Sequence, residues 1–178
     1  MSQFEYLSIA ASIVLALAMG RLISSIPYVF QAKKVDLIHS LLFLWMIFGC
    51  LLQWWNLWPL NSVSDWSLTG YLILMASPIS YYLAAKIIVS DSPDDVQTWE
   101  QYFAENYRWF FVALFTAWLS SRVRQYYFFD EIPSIFGLLF GAAALAGALI
   151  SSFRKIVHLS VAIYIILFTA LGIILVGS

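Results

Sequence analysis

The two histidines are the side chains of this chain with the most specific chemistry. His39 and His158 each lie at the start of an apolar stretch, a few residues after a pair of basic residues. Both stretches run in the same direction through a bilayer, so the imidazoles are expected at similar depth. Neutral imidazoles at one depth can ligate a haem iron or respond to protonation. Two ligands without a spacing motif do not define a metal site, and we favour interfacial histidines with water-exposed tips.

Three arginines lie inside apolar stretches, where a charge needs a partner, a pore or the membrane surface. Arg21 lies about nine residues before its stretch ends, which is about 13 Å along the helix axis at 1.5 Å per residue. Its expected partner is Asp36, and snorkelling to the surface is the alternative to a pore-facing role. Arg122 and Arg124 point about 200° apart around a helix. One is expected to reach headgroups or acids such as Glu131, which leaves the other free to face the bundle interior.

A polar residue and a proline interrupt two further apolar stretches. Gln53 needs a buried hydrogen-bond partner or a water-filled cavity. Pro78 removes a backbone donor, so its helix is expected to kink, and Tyr81 follows one turn later. Together with the three arginines, these residues are the candidates for lining a pore or a ligand site.

Six long apolar stretches would position these side chains. A helix needs about 20 apolar residues to cross about 30 Å of hydrocarbon. With 62% hydrophobic and only 11% charged residues, the chain has far fewer charges than the roughly 25% of a soluble domain. We predict an all-α, polytopic transmembrane bundle that forms one domain over residues 1–178. The predicted spans are residues 6–30, 38–58, 68–89, 109–129, 132–153 and 156–176.

The basic residues are distributed unevenly between the two faces of this predicted bundle. Of the nine Lys and Arg residues, six lie on the face reached by the first, third and fifth loops, two lie on the opposite face, and Arg21 lies within a helix. Short cytoplasmic loops carry the excess of Lys and Arg. The first of these faces is therefore predicted to be cytoplasmic, with both termini on the other side.

The longest polar segment connects the third and fourth stretches. Ser92 followed by Pro93 and two aspartates is typical of a helix start. Val96, Trp99 and Phe103 follow at helical spacing. We predict one short amphipathic helix between spans three and four, lying on the cytoplasmic surface or extending the fourth span. A partner protein that docks around Trp99 and Phe103 is the alternative.

Small residues recur at four-residue spacing on two of the stretches. Such ridges let a neighbouring backbone approach closely, within one chain or between copies of it. The positions concerned are Ser8, Ser12, Ala16 and Gly20 in the first stretch and Gly137 and Gly141 in the fifth.

Three short motifs carry a resemblance to a group of small uncharacterised bacterial integral-membrane proteins. They are Phe4-Glu-Tyr-Leu-Ser8, the Gly20-Arg-Leu segment, and Tyr102-Phe with Arg108-Trp-Phe-Phe111. The resemblance covers most of the chain and implies the bacterial inner (cytoplasmic) membrane. Both termini are then predicted to be periplasmic. It brings no known function with it.

The sequence favours a small channel or transporter for an anion or small solute, forming a homo-oligomer in the lipid bilayer. One alternative is a sensor or subunit that docks a membrane or cytoplasmic protein; another is a haem-binding electron-transfer protein using His39 and His158. No catalytic motif occurs within the apolar stretches, so no enzyme activity and no cofactor is predicted beyond that haem alternative. The net charge of −1 argues against nucleic acid as a partner.

Overall fold

The computed structural model describes residues 3–176, and this part of the chain consists of helices joined by short connections, without a β-strand. The all-α prediction is confirmed. The six α-helices are α1 (Gln3–Val29), α2 (Leu37–Trp55), α3 (Leu68–Ile88), α4 (Trp99–Phe129), α5 (Ile135–Leu149) and α6 (Lys155–Val176). A short 3-10 helix, Trp58–Ser62, follows α2.

The number of membrane spans predicted from the sequence is wrong. Among the described residues, four segments are long and apolar enough to cross a membrane: Gln3–Val29, Leu37–Ser62, Leu68–Ile88 and Lys155–Leu175. The helix expected at 109–129 lies within α4, which has 31 residues but carries charged residues in both halves. The helix expected at 132–153 is α5, which has 15 residues and so is about 22 Å long.

The separate amphipathic helix after Ser92 is also absent, since the segment before Trp99 forms turns. Thr98 caps α4 instead, because its hydroxyl oxygen accepts a hydrogen bond from the backbone N–H of Gln101. Trp99 and Phe103 are buried in the bundle. The indole N–H of Trp99 donates to the Tyr28 carbonyl at 2.9 Å. The apolar face that was expected to rest on the membrane surface therefore packs inside the protein.

Helix α4 runs antiparallel to α3 along the whole height of the bundle. The Tyr102 hydroxyl donates to the Ile87 carbonyl at one end. The Ser77 hydroxyl donates to the Ala117 carbonyl halfway, and the Ser67 and Tyr127 hydroxyls lie 3.3 Å apart at the other end. These contacts fix which residues of α4 lie at which depth.

The bundle has two chemically different ends. At the basic end α1, α3 and α5 finish and α2, α4 and α6 begin. The aromatic cluster of Phe43, Trp99, Phe103, Phe110 and Phe111 fills the interior on this side, each residue at most 1% exposed. The other end is the tryptophan end, named for Trp54, Trp55, Trp58 and Trp66. The interior near that end is more open.

The two small-residue ridges pack differently. A Cβ added at Gly141 would lie 2.6 Å from the Trp118 ring, and one at Gly147 would lie 2.7 Å from the Phe111 ring. The α5 glycines therefore let α4 approach within the same chain. On α1, Ala16 and Gly20 are exposed, and a Cβ at Gly20 would meet nothing within 4 Å. Packing between copies of the chain through the α1 ridge remains a prediction.

Candidate functional site

A cavity of about 600 Å³ lies between α2, α4, α5 and α6, toward the tryptophan end. Gln53 of α2, Tyr81 of α3 and Arg122 of α4 all line it, so the fold brings together three of the candidate residues from three different helices. Their neighbours in the wall include Ser121 and Ser134. None of the residues in this wall is a carboxylate.

The N-terminus of α5 forms one side of the cavity. Ser134 caps the helix by accepting a hydrogen bond from the Gly137 N–H at 3.2 Å. A Cβ at Gly137 would lie 3.6 Å from Nη1 of Arg122, so the guanidinium rests against the first turn of α5. The N-terminus of a helix carries a partial positive charge. Two positive groups therefore face the same space.

Arg122 and Arg124 share a single neutral acceptor. The Ser121 hydroxyl oxygen lies 3.5 Å from Nη2 of Arg122 and 3.4 Å from Nη2 of Arg124. At 100° per residue, positions 122 and 124 lie on either side of position 121, which is why both guanidiniums reach it. Arg124, only 2% exposed, also donates to the Asn56 carbonyl at 3.4 Å. All three hydrogen bonds are long.

Neither guanidinium has a carboxylate partner within 4 Å among residues 3–176. Glu131 acts on Arg122 electrostatically, but from beyond ion-pair distance. A charge shielded from water normally has an opposite charge or several hydrogen bonds around it. Buried Arg124 and part-buried Arg122 therefore have only long hydrogen bonds to neutral acceptors among the described residues.

Four buried nitrogens at or beside the cavity have no hydrogen-bond partner in the described chain. They are Nε2 of Gln53, Nε1 of Trp118, Nε of Arg122 and Nη1 of Arg124. All four are donors. Buried polar groups are paired in the great majority of cases, and each one left unpaired costs about 1–3 kcal/mol. The local excess of donors matches a ligand that supplies acceptors.

At the basic end three cations have acceptors at short distance, although Nε of Arg21 has no partner among the described residues. Nη2 of Arg21 lies 2.7 Å from the Val89 carbonyl and 2.7 Å from the Asp91 carboxylate. Nη2 of Arg108 donates to the Ser151 carbonyl at 2.5 Å. Lys155 binds the Glu100 carboxylate at 2.8 Å. These cations are paired with acids or with carbonyls at helix ends, so each contact helps to hold the ends of the helices together.

Three of the candidates proposed from the sequence are not part of the cavity wall: Arg124 lies beside it, and Arg21 and Pro78 lie farther away. Arg21 caps the C-terminal end of α3 at the basic end, and its acidic partner is Asp91 rather than the expected Asp36. Asp36 instead caps α2 by accepting from the His39 N–H. Pro78 is buried within α3, which continues as one helix past it. Of the neighbouring serines, Ser80 donates to the Ala76 carbonyl on the same helix.

The two histidines are fully buried at the basic end, away from the cavity. Nε2 of His39 lies 2.8 Å from the Ile88 carbonyl, and its ring stacks on Trp99 at 4.7 Å. Nδ1 of His158 lies 2.9 Å from the Arg154 carbonyl. Each ring keeps one nitrogen without a partner. They are not the water-exposed tips expected from the sequence.

The part of the chain that the structure describes contains no group of three or more His, Cys, Asp or Glu side chains placed to hold a metal ion. The two imidazoles contact different aromatic neighbours, Trp99 for His39 and Phe153 for His158. This arrangement does not support the haem hypothesis, which stays a prediction.

Sequence reasoning missed Trp118, Ser121 and Ser134 as members of the site. Ser134 follows Pro133 at the start of an apolar run, which is a recognisable capping signal. Trp118 and Ser121 are ordinary residues of a long helix, and only their position beside Gln53 and Arg122 makes them notable.

A scan of the chain against protein-family models found no match, and neither did a search of the curated proteins or one of the solved structures.

Proposed function

We propose that this protein is a small membrane transporter that binds an anion in the cavity between α2, α4, α5 and α6. The observation that carries the proposal is a cluster of buried donors beside two arginines; within residues 3–176 the donors have no hydrogen-bond partner and the arginines no carboxylate partner. An anion in the cavity would supply the missing acceptors and balance the charge. Charge-assisted hydrogen bonds of this kind contribute about 1.5–3 kcal/mol each.

The shape of the interior favours a carrier over an open channel. The cavity wall includes well-exposed residues at the tryptophan end, such as Trp55 and Asn56. Toward the basic end Trp45 donates to the Thr169 hydroxyl and packs against Phe140, and the aromatic cluster lies beyond them. A path through the bundle would require these aromatic side chains to move. In the proposed cycle this conformation is the one that opens at the tryptophan end, and alternating access requires a second conformation open at the basic end.

We infer the orientation of the protein in the membrane from the distribution of its basic residues. All basic residues except Arg122 and Arg124 belong to the basic end, now including Arg21. By the positive-inside rule the basic end is cytoplasmic and the cavity opens outward. We place the protein in a bacterial inner membrane, in line with the resemblance of its motifs. A homo-oligomer through the exposed Ala16 and Gly20 is part of the same proposal.

The test compares two arginine variants of equal charge. Arg122→Gln removes the cavity guanidinium, whereas Arg154→Gln removes an exposed one at the basic end. Purified protein would be titrated with chloride, inorganic phosphate, acetate and benzoate, using the fluorescence of Trp45, Trp55 and Trp118 in the cavity wall. We expect saturable binding of at least one anion, weakened about 10- to 100-fold by Arg122→Gln and unchanged by Arg154→Gln.

The same proteins in liposomes would then be assayed for uptake of the anion that binds. Uptake should follow binding across the two variants. Absence of a saturable response to all four anions would refute the proposal, as would equal binding by both variants. The partner-docking hypothesis has no such support, because Trp99 and Phe103 are buried and not available to a partner.

A further inference from the structure

Aromatic rings form a large part of the wall of the anion cavity, since seven of its nineteen lining residues are aromatic and seven are polar. The aromatic side chains are those of Trp45, Trp55, Tyr81, Trp118, Phe136, Phe140 and Phe168. An inorganic anion that keeps part of its water shell gains nothing from such a surface. Pockets for organic molecules have this composition, with a small number of polar groups that fix orientation.

The floor of the cavity offers no hydrogen bond to a ligand. The indole N–H of Trp45 donates to the Thr169 hydroxyl at 3.1 Å, and that hydroxyl donates to the Ile165 carbonyl at 2.7 Å. The ring of Phe140 lies 5.5 Å from that of Trp45. The floor is therefore apolar toward the cavity, although it contains two polar side chains.

The cavity is also too large for a simple ion. Its volume of about 600 Å³ lies within the range of about 300–1,000 Å³ for small-molecule sites. A single water takes up only about 30 Å³ in the liquid. A bare halide or phosphate at Arg122 would leave the aromatic floor empty or covered by water.

On the basis of the proposed function, we infer that the ligand is a water-soluble organic anion with one compact anionic head and an apolar, ring-sized body. The head, a carboxylate or phosphate, binds between Arg122, Gln53 and the N-terminus of α5. The body lies on the floor formed by Trp45 and Phe140. An anionic lipid shares this chemistry, and the experiment separates the two sources.

The experiment compares ligands that differ in one part at a time on the wild-type protein, which avoids any folding defect. Benzoate has both head and body, acetate has the head alone, and benzyl alcohol has the body without the charge. We expect calorimetric titration to give benzoate a dissociation constant at least about 10-fold lower than that of either fragment. Dioleoyl phosphatidylglycerol added to the detergent micelles is expected not to displace benzoate.

One variant tests the body site directly. A Cβ at Gly172 would meet only the Phe136 Cβ, at 3.8 Å, so Gly172→Leu fits the helix and places its side chain at the cavity wall. We expect it to weaken benzoate binding about 10-fold while leaving acetate binding unchanged. Ala170→Leu, at an exposed position of the same helix, is the matched control and is expected to change neither.

The outcomes separate the two proposals. If acetate and benzoate bind equally and Arg122→Gln weakens both, anion binding stands and the organic body is refuted. If no anion binds, the proposed function fails as well. Displacement of benzoate by the lipid would overturn the water-soluble ligand in favour of a lipid headgroup.

Discussion

Substitution of two helical glycines by alanine tests the contact between α5 and α4, because one glycine faces a ring and the other faces open space. A Cβ at Gly141 would lie 2.6–2.7 Å from three atoms of the Trp118 ring, whereas a Cβ at Gly20 would meet nothing within 4 Å. Both glycines lie within helices. Alanine at either position therefore gains the same helix propensity, about 1 kcal/mol, and the two variants differ only in packing.

The size of the difference follows from the geometry. To restore an ordinary contact of 3.4 Å, the Trp118 ring or the α5 backbone must move by about 0.8 Å. Overpacking of this kind costs about 1–3 kcal/mol. Within one bundle, where a Cβ at Gly20 meets nothing, we expect Gly20→Ala to be stabilising by up to about 1 kcal/mol, and any loss of contact between copies is read separately from the oligomeric state. Gly141→Ala is expected to lie about 1–3 kcal/mol below it in free energy of unfolding, which is several degrees of midpoint temperature.

The single cysteine of the chain provides the assay. Cys50 is 1% exposed, so a fluorogenic maleimide reacts with it only when the bundle opens. Thermal unfolding in detergent would be followed with this dye for wild type, Gly20→Ala and Gly141→Ala. Equal midpoints for the two variants would refute the close approach of α5 to Trp118. A loss of oligomer in Gly20→Ala would instead show that the α1 ridge packs between copies.

Two further predictions concern the ends of the helices. Asp130 ends α4 with φ 54° in the left-handed region, so Asp130→Gly should raise the free energy of unfolding by about 0.5–1 kcal/mol in the same dye assay. The variant Asp130→Asn controls for the lost charge. A glycine variant that is less stable than wild type would contradict the left-handed conformation at this position. Asp91→Asn removes the ion pair with Arg21 but leaves the hydrogen bond from Arg21 to the Val89 carbonyl. We therefore expect the free energy of unfolding to fall by less than about 1 kcal/mol at low salt and to be unchanged at high salt. A salt-independent fall of several kcal/mol would show that solvent does not screen the pair.

Helix boundaries followed from the sequence where an apolar run is bounded by capping residues. Helix α3 was predicted at 68–89 and spans Leu68–Ile88, because Ser67 caps its first turn. The end of α4 at residue 129 and the alternative that the preceding segment extends this helix agree with the structure, but its start was misplaced because the Ser92 signal was preferred to Thr98-Trp-Glu-Gln101. That second motif is a capping-box pattern, and its Thr98 side chain forms the cap that the structure contains.

The assembly of the site lay beyond sequence reasoning. Gln53, Tyr81 and Arg122 each stood out as polar or strained positions in apolar helices. Their meeting at one cavity depends on which helices are neighbours, and no local pattern encodes that. The partner of Arg21 shows the same limit, since Asp91 lies 70 positions away in the sequence while Asp36 lay closer.

If the protein lies in the membrane as proposed, the shortness of α5 couples the cavity to the thickness of the bilayer. At 15 residues the helix covers about 22 Å of a hydrocarbon layer that is about 30 Å thick. In the proposed placement, the bilayer beside Ser134 would thin locally, or water would reach the guanidinium of Arg122, to make up the difference. The acyl-chain length would then set how much water reaches the mouth of the cavity, and a thinner membrane would relieve the mismatch without any change in the protein.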